Sequence, residues 1–578
     1  MHFYDEWAKQ ILHGQWTDHR AFYGLPLYPY ALAGVYRLFG YGQFVPGLIQ
    51  AFLDAGTALL IYKICISIFR RPWTSDLSAD EVPNGYRAAV ETPFAVAAAA
   101  GWTFFVPAQA YSIILMPTTA SVFIFWLLIW WILHRKTNPS PWRSFGLGGV
   151  IGVAAMAVAT SLTVIPIALI PLFVKPTSCH RFSVRLLLPA ISLLAGVIAG
   201  ASPCWIHNFF VARDPVFLSA HGGINLWLGN NPEAAGYPRF PGLHAGQSEL
   251  LRDSIEIAEA AAGRDLKRSE VSRYWSTKAT AYIAANPMAW LRLLARKVAN
   301  FWNAFEYDDL GVIRNLREHS VLFPGLRFGV VAALGLAGIL FSWRHFPSAR
   351  WIVAALAVEM LAILPIFVTE RYRLVVVPGL LILTALGLAR LWKNFARRAY
   401  GNFAIQLLFV AAVVAFVTFP RHDATLWALD AYNAGRLALE LNDFPRAERE
   451  LQRAHDLVPD NAETNFALGN LRLAQRDLTA AKKFYEVALK ADSKHKGALN
   501  NLGVVALDEN SPALAAECFR RSLALQPQDA KTHYLLATAL LADGRPSEAA
   551  EALKRAVELG GERPEFALLH EEIEKSGR

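Results

Sequence analysis

The sequence predicts an all-α protein in two parts: a polytopic membrane helical bundle of about ten segments, then a solenoid of short helical hairpins. Composition is the first reason. Apolar residues make up 54% of the 578, charged residues only 18%, and mean hydropathy is +0.28, whereas a soluble chain carries nearer a quarter charged residues. Second, apolar stretches of roughly 20 residues, the length a bilayer crossing needs, recur as far as Phe419. Third, a 34-residue period sets in beyond that point. Charge divides at the same place. From Ala424 onward there are 20 Lys and Arg against 24 Asp and Glu, net −4, while residues 1–423 hold 36 against 23, net +13. Disorder, coiled coil, collagen and a small disulfide scaffold are excluded. The basic residues cluster between apolar stretches, as membrane topology requires, so no nucleic-acid partner is expected.

The apolar stretches are 45–69, 93–113, 116–134, 146–173, 184–205, 324–342, 351–369, 374–392 and 403–419. Basic clusters separate them: Arg70 and Arg71, then His134, Arg135, Lys136 and Arg143, then 175–185, then Arg344 and Arg350, then 390–398. All should face the cytoplasm. Residues 146–173 have basic flanks at both ends. If they crossed once, every later cluster would face outward. A re-entrant pair broken near Thr160 and Ser161 keeps the clusters inside. The resulting division is an external loop with a surface helix (1–44), a transmembrane core (45–205), a large external loop (206–323) and further transmembrane helices (324–419). Everything after Phe419 also lies outside. Because residues 1–44 are polar and outside, the layout predicts a first transmembrane helix upstream of Met1. The apolar stretches also hold Asp54, Lys63 and Glu359, and a buried charge in lipid usually faces the bundle.

In the tail, Gly435, Gly469, Gly503 and Ala537 are 34 residues apart, and so are Ala447, Ala481, Ala515 and Ala549. Leu451, Tyr485, Phe519 and Leu553 keep the same spacing. Small residues where two helices touch and large ones filling between them make the tetratricopeptide pattern. Four repeats occupy 428–561, and 562–578 reads as a capping helix and tail. Such a tetratricopeptide α-solenoid offers a concave surface to a protein partner. Cys65, Cys179, Cys204 and Cys518 have no metal-ligand or disulfide-like spacing. They read as apolar fillers, with no metal site and no cofactor expected.

The chemistry should lie where the outer segments meet. Tyr4, Trp7, Ala8 and Ile11 have the spacing of an amphipathic surface helix, and Gly14 and the rigid Pro26, Leu27 and Tyr28 follow. On Tyr4, Trp7, Ala8, Gly14, Pro26, Leu27 and Tyr28 this segment resembles the first external loop of the GT-C glycosyltransferases, in the family of protein O-mannosyltransferases and aminoarabinose transferases. The family's key acidic residue sits four positions before the tyrosine matched by Tyr4, which is upstream of Met1. A second acidic position that some members carry is absent from residues 116–119 (Met-Pro-Thr-Thr). Asp5 and Glu6 are the nearest catalytic candidates, or residues of the helix surface.

The block 369–373 (Thr-Glu-Arg-Tyr-Arg) also resembles the family and places Arg371 and Arg373 at the outer surface. There their guanidinium forks suit a donor phosphate, or they snorkel at the interface. Residues 222–232 bring Asn225, Asn230 and Asn231, whose amides suit sugar hydroxyls, or form a structural turn. Lys297, on a helix after Asn286 and Pro287, is a further phosphate candidate.

The resemblance implies a glycosyltransferase of the bacterial inner membrane that takes sugar from a polyprenyl-phosphate donor. Its repeats would recruit a protein partner or acceptor on the periplasmic side. The alternatives are an O-antigen ligase or polymerase-like enzyme, a transporter, and a catalytically dead scaffold.

Overall fold

The computed structural model describes residues 2–70, 84–134, 140–173, 184–241, 243, 247–307, 313, 316, 321–420, 424–561 and 563–576. Arg71, Arg135, Lys136, Lys175 and Cys179 lie outside these residues. The described chain is helical, with no strand, and one isolated bridge joins Phe105 and Leu326. It divides into two compact units, one comprising Met1–Asp308 with Val312–Pro420, the other essentially Arg421–Arg578.

In the first unit, three helices are long and apolar enough to cross a membrane: Phe44–Phe69, Glu370–Ala396 and Tyr400–Thr418. Two bent pairs raise the number to five if each is one span. Val106–Ile113 and Thr118–Leu133 meet at 116°, and Leu187–Gly200 and Ser202–Val211 at 57°. The expected stretch 93–113 is not one helix. Asn84–Thr103 ends, and the chain extends through Phe104 and Phe105 to exchange hydrogen bonds with Leu326 before Val106–Ile113 begins. The facing Gly325 permits this, since a Cβ there would lie 1.9 Å from the Phe104 carbonyl oxygen.

Residues 146–173 are broken too. Pro141–Ala155 stops, a 3-10 turn occupies Ala159–Thr163, and Val164–Phe173 follows. The first arm packs on Val184–Gly200 through glycines on both sides. Added Cβ atoms at Gly148 and Gly152 would lie 2.0 and 2.2 Å from the carbonyl oxygens of Leu193 and Val197. Such glycines let the two backbones come into direct contact.

The charges inside the apolar helices have protein partners. Asp54 accepts from the Trp102 indole at 3.0 Å, and Glu359 accepts from the Thr163 hydroxyl at 2.6 Å, beside the break. The Lys63 ammonium lies 5.9 Å from the Trp130 ring centre.

The second unit contains four antiparallel helix pairs, Ala424–Glu440 with Phe444–Leu457, Ala462–Ala474 with Leu478–Ala491, Lys496–Asp508 with Pro512–Leu525, and Ala530–Ala542 with Pro546–Gly560. The helix Pro564–Ser576 then buries Phe566, Leu569 and Ile573 against the last pair. The 34-residue register has a direct cause. A Cβ on Gly469 would sit 2.4 Å from the Tyr485 ring, and one on Gly503 2.6 Å from Phe519. Asp443 and Asp477 cap the second helices by accepting the amides of Arg446 and Ala480.

A further 34-residue series escaped the sequence reading. Asn442, Arg476, Asn510 and Gly544 turn each hairpin with positive φ. Only glycine takes that conformation without steric cost. Arg476, at φ 62° and exposed, therefore carries local strain. Arg476→Gly should stabilise the repeats by about 0.5–1 kcal/mol, the left-handed penalty less the added chain entropy. Thermal melting of the full-length protein followed by circular dichroism reads this directly.

Candidate functional site

The opening helix His2–Leu12 buries Ala8 and Ile11 and ends in a glycine cap. Gly14 has φ +87°, its amide reaches the Ile11 carbonyl at 3.1 Å, and the Gln15 amide reaches that of Gln10 at 2.9 Å. This pair of bonds is the Schellman motif, which needs a left-handed residue at Gly14. Asp5 and Glu6 then diverge, as neighbours on a helix must. Asp5 is buried and accepts from the Tyr36 hydroxyl at 2.6 Å and the Tyr41 hydroxyl at 3.2 Å, with Lys9 at 2.9 Å. Burial pushes its carboxyl up, but the Tyr36, Lys9 and Tyr41 donors prevail and hold it below the usual value. Asp5 thus pins the opening helix to the next one, Leu27–Phe39. Glu6 is exposed, 2.8 Å from Lys9, and lines an open cleft.

From Gly14 onward the opening segment is bound to the large outer loop. Thr17 shares a 2.5 Å hydrogen bond with His207. Arg268 donates to Asp18 at 2.7 Å and to the Ala21 carbonyl at 2.6 Å. Asn208 accepts the Phe22 amide at 3.0 Å, and His221 donates to the Tyr23 carbonyl at 2.8 Å. The Leu27 amide caps the broken helix at the Met156 carbonyl, 3.0 Å away. Tyr28 donates to Gln50 at 2.9 Å, and its ring stands edge-on to Tyr4, 5.3 Å between centres. Tyr4 and Tyr28, which as part of the resembling loop would line a substrate, brace each other.

The Asn-rich stretch is a helix, Gly222–Gly229, rather than a run of tight turns. Its glycines allow close approach, since a Cβ on Gly223 would lie 1.8 Å from the Ser272 carbonyl oxygen. Asn230 and Asn231 are buried and committed to the fold. Asn230 donates to the carbonyls of Leu226 and Pro365, and Asn231 to those of Trp227, Leu228 and Arg239. Neither amide is placed to read a sugar hydroxyl. Asn225 is half-buried on the same helix.

Lys297, a phosphate candidate by sequence, is turned inward. It is 0% exposed and donates to the Asn230 side-chain oxygen at 3.1 Å, which the Trp290 indole shares at 3.1 Å. The amine faces the loop interior and cannot reach a lipid phosphate there. Burial pushes it down to about 7.

The block 369–373 separates its two arginines. Arg373 is 1% exposed, and its guanidinium donates to the carbonyls of Asn303 and Phe305 at 2.8 Å each and to Glu370 at 2.5 Å. Asn300 and Phe301 carbonyls lie at 3.4 and 3.5 Å, and the Phe328 ring centre at 4.0 Å. Arg373 therefore closes the C-terminus of the helix Pro287–Trp302, where the dipole favours a cation, and is not a phosphate clamp. The Glu370 amide donates to the Tyr307 carbonyl at 3.1 Å. Arg371 is half-buried, 5.0 Å from the Tyr372 ring centre. Burial holds the nearby His221 below its usual value, and the Arg371 charge adds to this against the Tyr23 carbonyl.

A cleft of about 620 Å³ opens between the opening segment and the outer loop, walled by Phe3, Trp7 and Trp16 with Glu6, Gln10 and Asp18 among its polar groups. Among the described residues no group of three His, Cys, Asp or Glu is arranged to hold a metal ion.

Residues 432–496 and 500–564 match the family model described as tetratricopeptide repeat. The tail is thus a tetratricopeptide solenoid, a module that engages protein partners. Protein FlbA of Caulobacter vibrioides is 32% identical over 135 residues, 23% of this chain, and the match spans 22% of that protein's length. Among solved structures, a MamA crystal structure is similar at 19% identity and TM-score 0.22, covering 23% of this chain and 77% of that one. A structure titled as the functional characterization of Pseudomonas aeruginosa pilF is similar at 18% identity and TM-score 0.25, covering 32% and 80%.

Two predictions follow from this geometry. Arg373→Ala strands buried Glu370 and the helix-end carbonyls, and should cost about 3–5 kcal/mol, with Arg373→Lys recovering only part because it lacks the planar fork. Arg371→Ala, at a half-buried position outside the Glu370 lock, should cost less than Arg373→Ala. Thermal melting in detergent compares the three. For Lys297, the unfolded amine titrates near the ordinary 10.5 and the folded one at about 7. Between those values the unfolded state holds more protons, so stability rises with pH. The melting temperature of wild type relative to Lys297→Met should be flat below pH 7 and climb above it.

Proposed function

We propose that the protein is a membrane glycosyltransferase. It moves a sugar from a polyprenyl-phosphate donor to a protein or glycolipid acceptor on the outer face of a bacterial inner membrane. The observation that carries this reading is the convergence of the opening segment, the large outer loop and the block 369–373. Tyr23 packs with Trp227, Trp275, Phe367 and Tyr372 in one cluster, and His221 donates to the Tyr23 carbonyl. Positive-inside reasoning assigns all three segments to the outer side. The many-spanned bundle belongs to the same reading. It is supported by the break after Ala155, whose Met156 carbonyl meets the outer segment at Leu27, as two arms that enter and return would require.

In this reading the acceptor hydroxyl attacks the anomeric carbon, the bond from that carbon to the phosphate oxygen breaks, and the polyprenyl phosphate leaves. Glu6, exposed in the cleft, accepts the hydroxyl proton. Arg371 stabilises the charge growing on the departing phosphate. The tetratricopeptide repeats recruit the protein partner.

A second reading, a scaffold on a non-catalytic core, is favoured by the commitment of Asp5 to Tyr36, Tyr41 and Lys9. Membranes containing the protein, given radiolabelled polyprenyl-phosphate sugars, separate the two. The transferase transfers label, and Arg371→Ala and Glu6→Gln each lower transfer at least 100-fold, or about 2.7 kcal/mol of barrier. A scaffold transfers none, and the variants match wild type.

A further inference from the structure

The cleft beside the opening helix carries a more specific inference. Phe3 and Trp7 stand one helical turn apart, and Glu6 and Gln10 form a parallel pair on the adjacent stripe. Trp16 continues the aromatic wall beyond the glycine cap and is 59% exposed. Its position is braced, since the Tyr30 hydroxyl donates to its carbonyl and the Tyr30 ring centre lies 6.4 Å from its own. Gly24 lies beneath the wall, and a Cβ there would press on Phe3 at 3.3 Å and Trp7 at 3.4 Å. The cleft is thus a built surface of aromatic faces bordered by amides and carboxylates.

The charge pattern narrows the ligand. Arg268, the arginine in the lining, is already committed to Asp18 and to the Ala21 carbonyl. Glu6 adds a negative charge at the rim. Apart from the His19 imidazole, a phosphate therefore finds no uncommitted basic group in the lining, whereas a neutral polyhydroxylated ring finds both faces and edges. The apolar face of a pyranose stacks on an indole, and its hydroxyls bond to side-chain amides and carboxylates. An extended peptide is less well served. The opening-helix wall keeps its backbone groups in its own hydrogen bonds and offers no strand edge to a main chain. The volume, about 620 Å³, falls within the range for ligands of several rings.

We propose that this cleft binds a neutral oligosaccharide, the glycan part of the acceptor, with Trp7 and Trp16 as stacking platforms and Glu6 and Gln10 as hydroxyl partners. Its role as acceptor site rests on the transferase reading. Its binding of saccharide does not.

The test uses the full-length protein in lipid nanodiscs free of glycoside detergent. Neutral trisaccharides of gluco, manno and galacto configuration are the probes, read by saturation-transfer NMR. At least one should bind, with inorganic phosphate failing to compete. Trp16→Ala and Gln10→Ala, both at exposed positions, should weaken it by at least tenfold and about threefold with thermal melting unchanged. Trp142→Ala, at an indole 82% exposed elsewhere, should leave binding intact. The proposal is overturned if no trisaccharide binds, if phosphate or a neutral serine-rich peptide occupies the cleft instead, or if both cleft variants bind as wild type. Trp16-dependent binding without sugar transfer would sink the transferase reading and keep the saccharide site. Transfer without trisaccharide binding would do the reverse.

Discussion

A guanidinium removed from water must have its donors satisfied, and that requirement organises one end of the first unit. Arg373 sits buried at the start of a long apolar helix, away from water. Instead it takes the carbonyls at the end of Pro287–Trp302 and the turn that follows, with Glu370 closing the shell. Removing either partner would leave a buried charge unmatched. The large outer loop is therefore anchored to the helix Glu370–Ala396 by an ionic lock. Arg371, inside the same four-residue block, stands outside this lock, half-buried and 5.0 Å from the Tyr372 ring centre.

The opening segment depends on this anchoring at one remove. Its loop is held by the polar groups of His207, Asn208, His221 and Arg268 and by Phe22 and Leu25 packed on Met156, Cys204 and Leu218. Asp5 secures the other side by tying the opening helix to Leu27–Phe39. The cleft lies between these two attachments, so its shape is set by polar bonds as well as by apolar packing. Such bonds are directional, and they fix side-chain positions more sharply than dispersion contacts do.

The repeats were legible because their packing repeats. One small residue must face one large ring every 34 positions, as Gly469 faces Tyr485. The left-handed turns were not legible, because Asn442, Arg476 and Asn510 hide a position that glycine would have marked. Most apolar helices were visible from hydropathy, but the interruption at Phe104 and Phe105 was not. It is made by pairing with distant Leu326, and periodicity carries no information about such partners. The site residues were legible as a neighbourhood and less so as roles. Arg371 and Arg373 look equivalent in sequence. The clue to their division was Glu370 three residues before Arg373, the spacing of a helical ion pair. Asn230 and Lys297 read as ligand contacts because their partners, Pro365 and each other, are remote in sequence.

The central claim is that one arginine of the pair supports the fold and the other meets the donor. An experimental structure of the protein in nanodiscs with a bound polyprenyl phosphate tests it most directly. The account predicts the phosphate within hydrogen-bond distance of Arg371, with Arg373 still bound to Glu370 and the carbonyls of Asn303 and Phe305. A phosphate seated on Arg373 or Lys297, with those internal bonds broken, would contradict it.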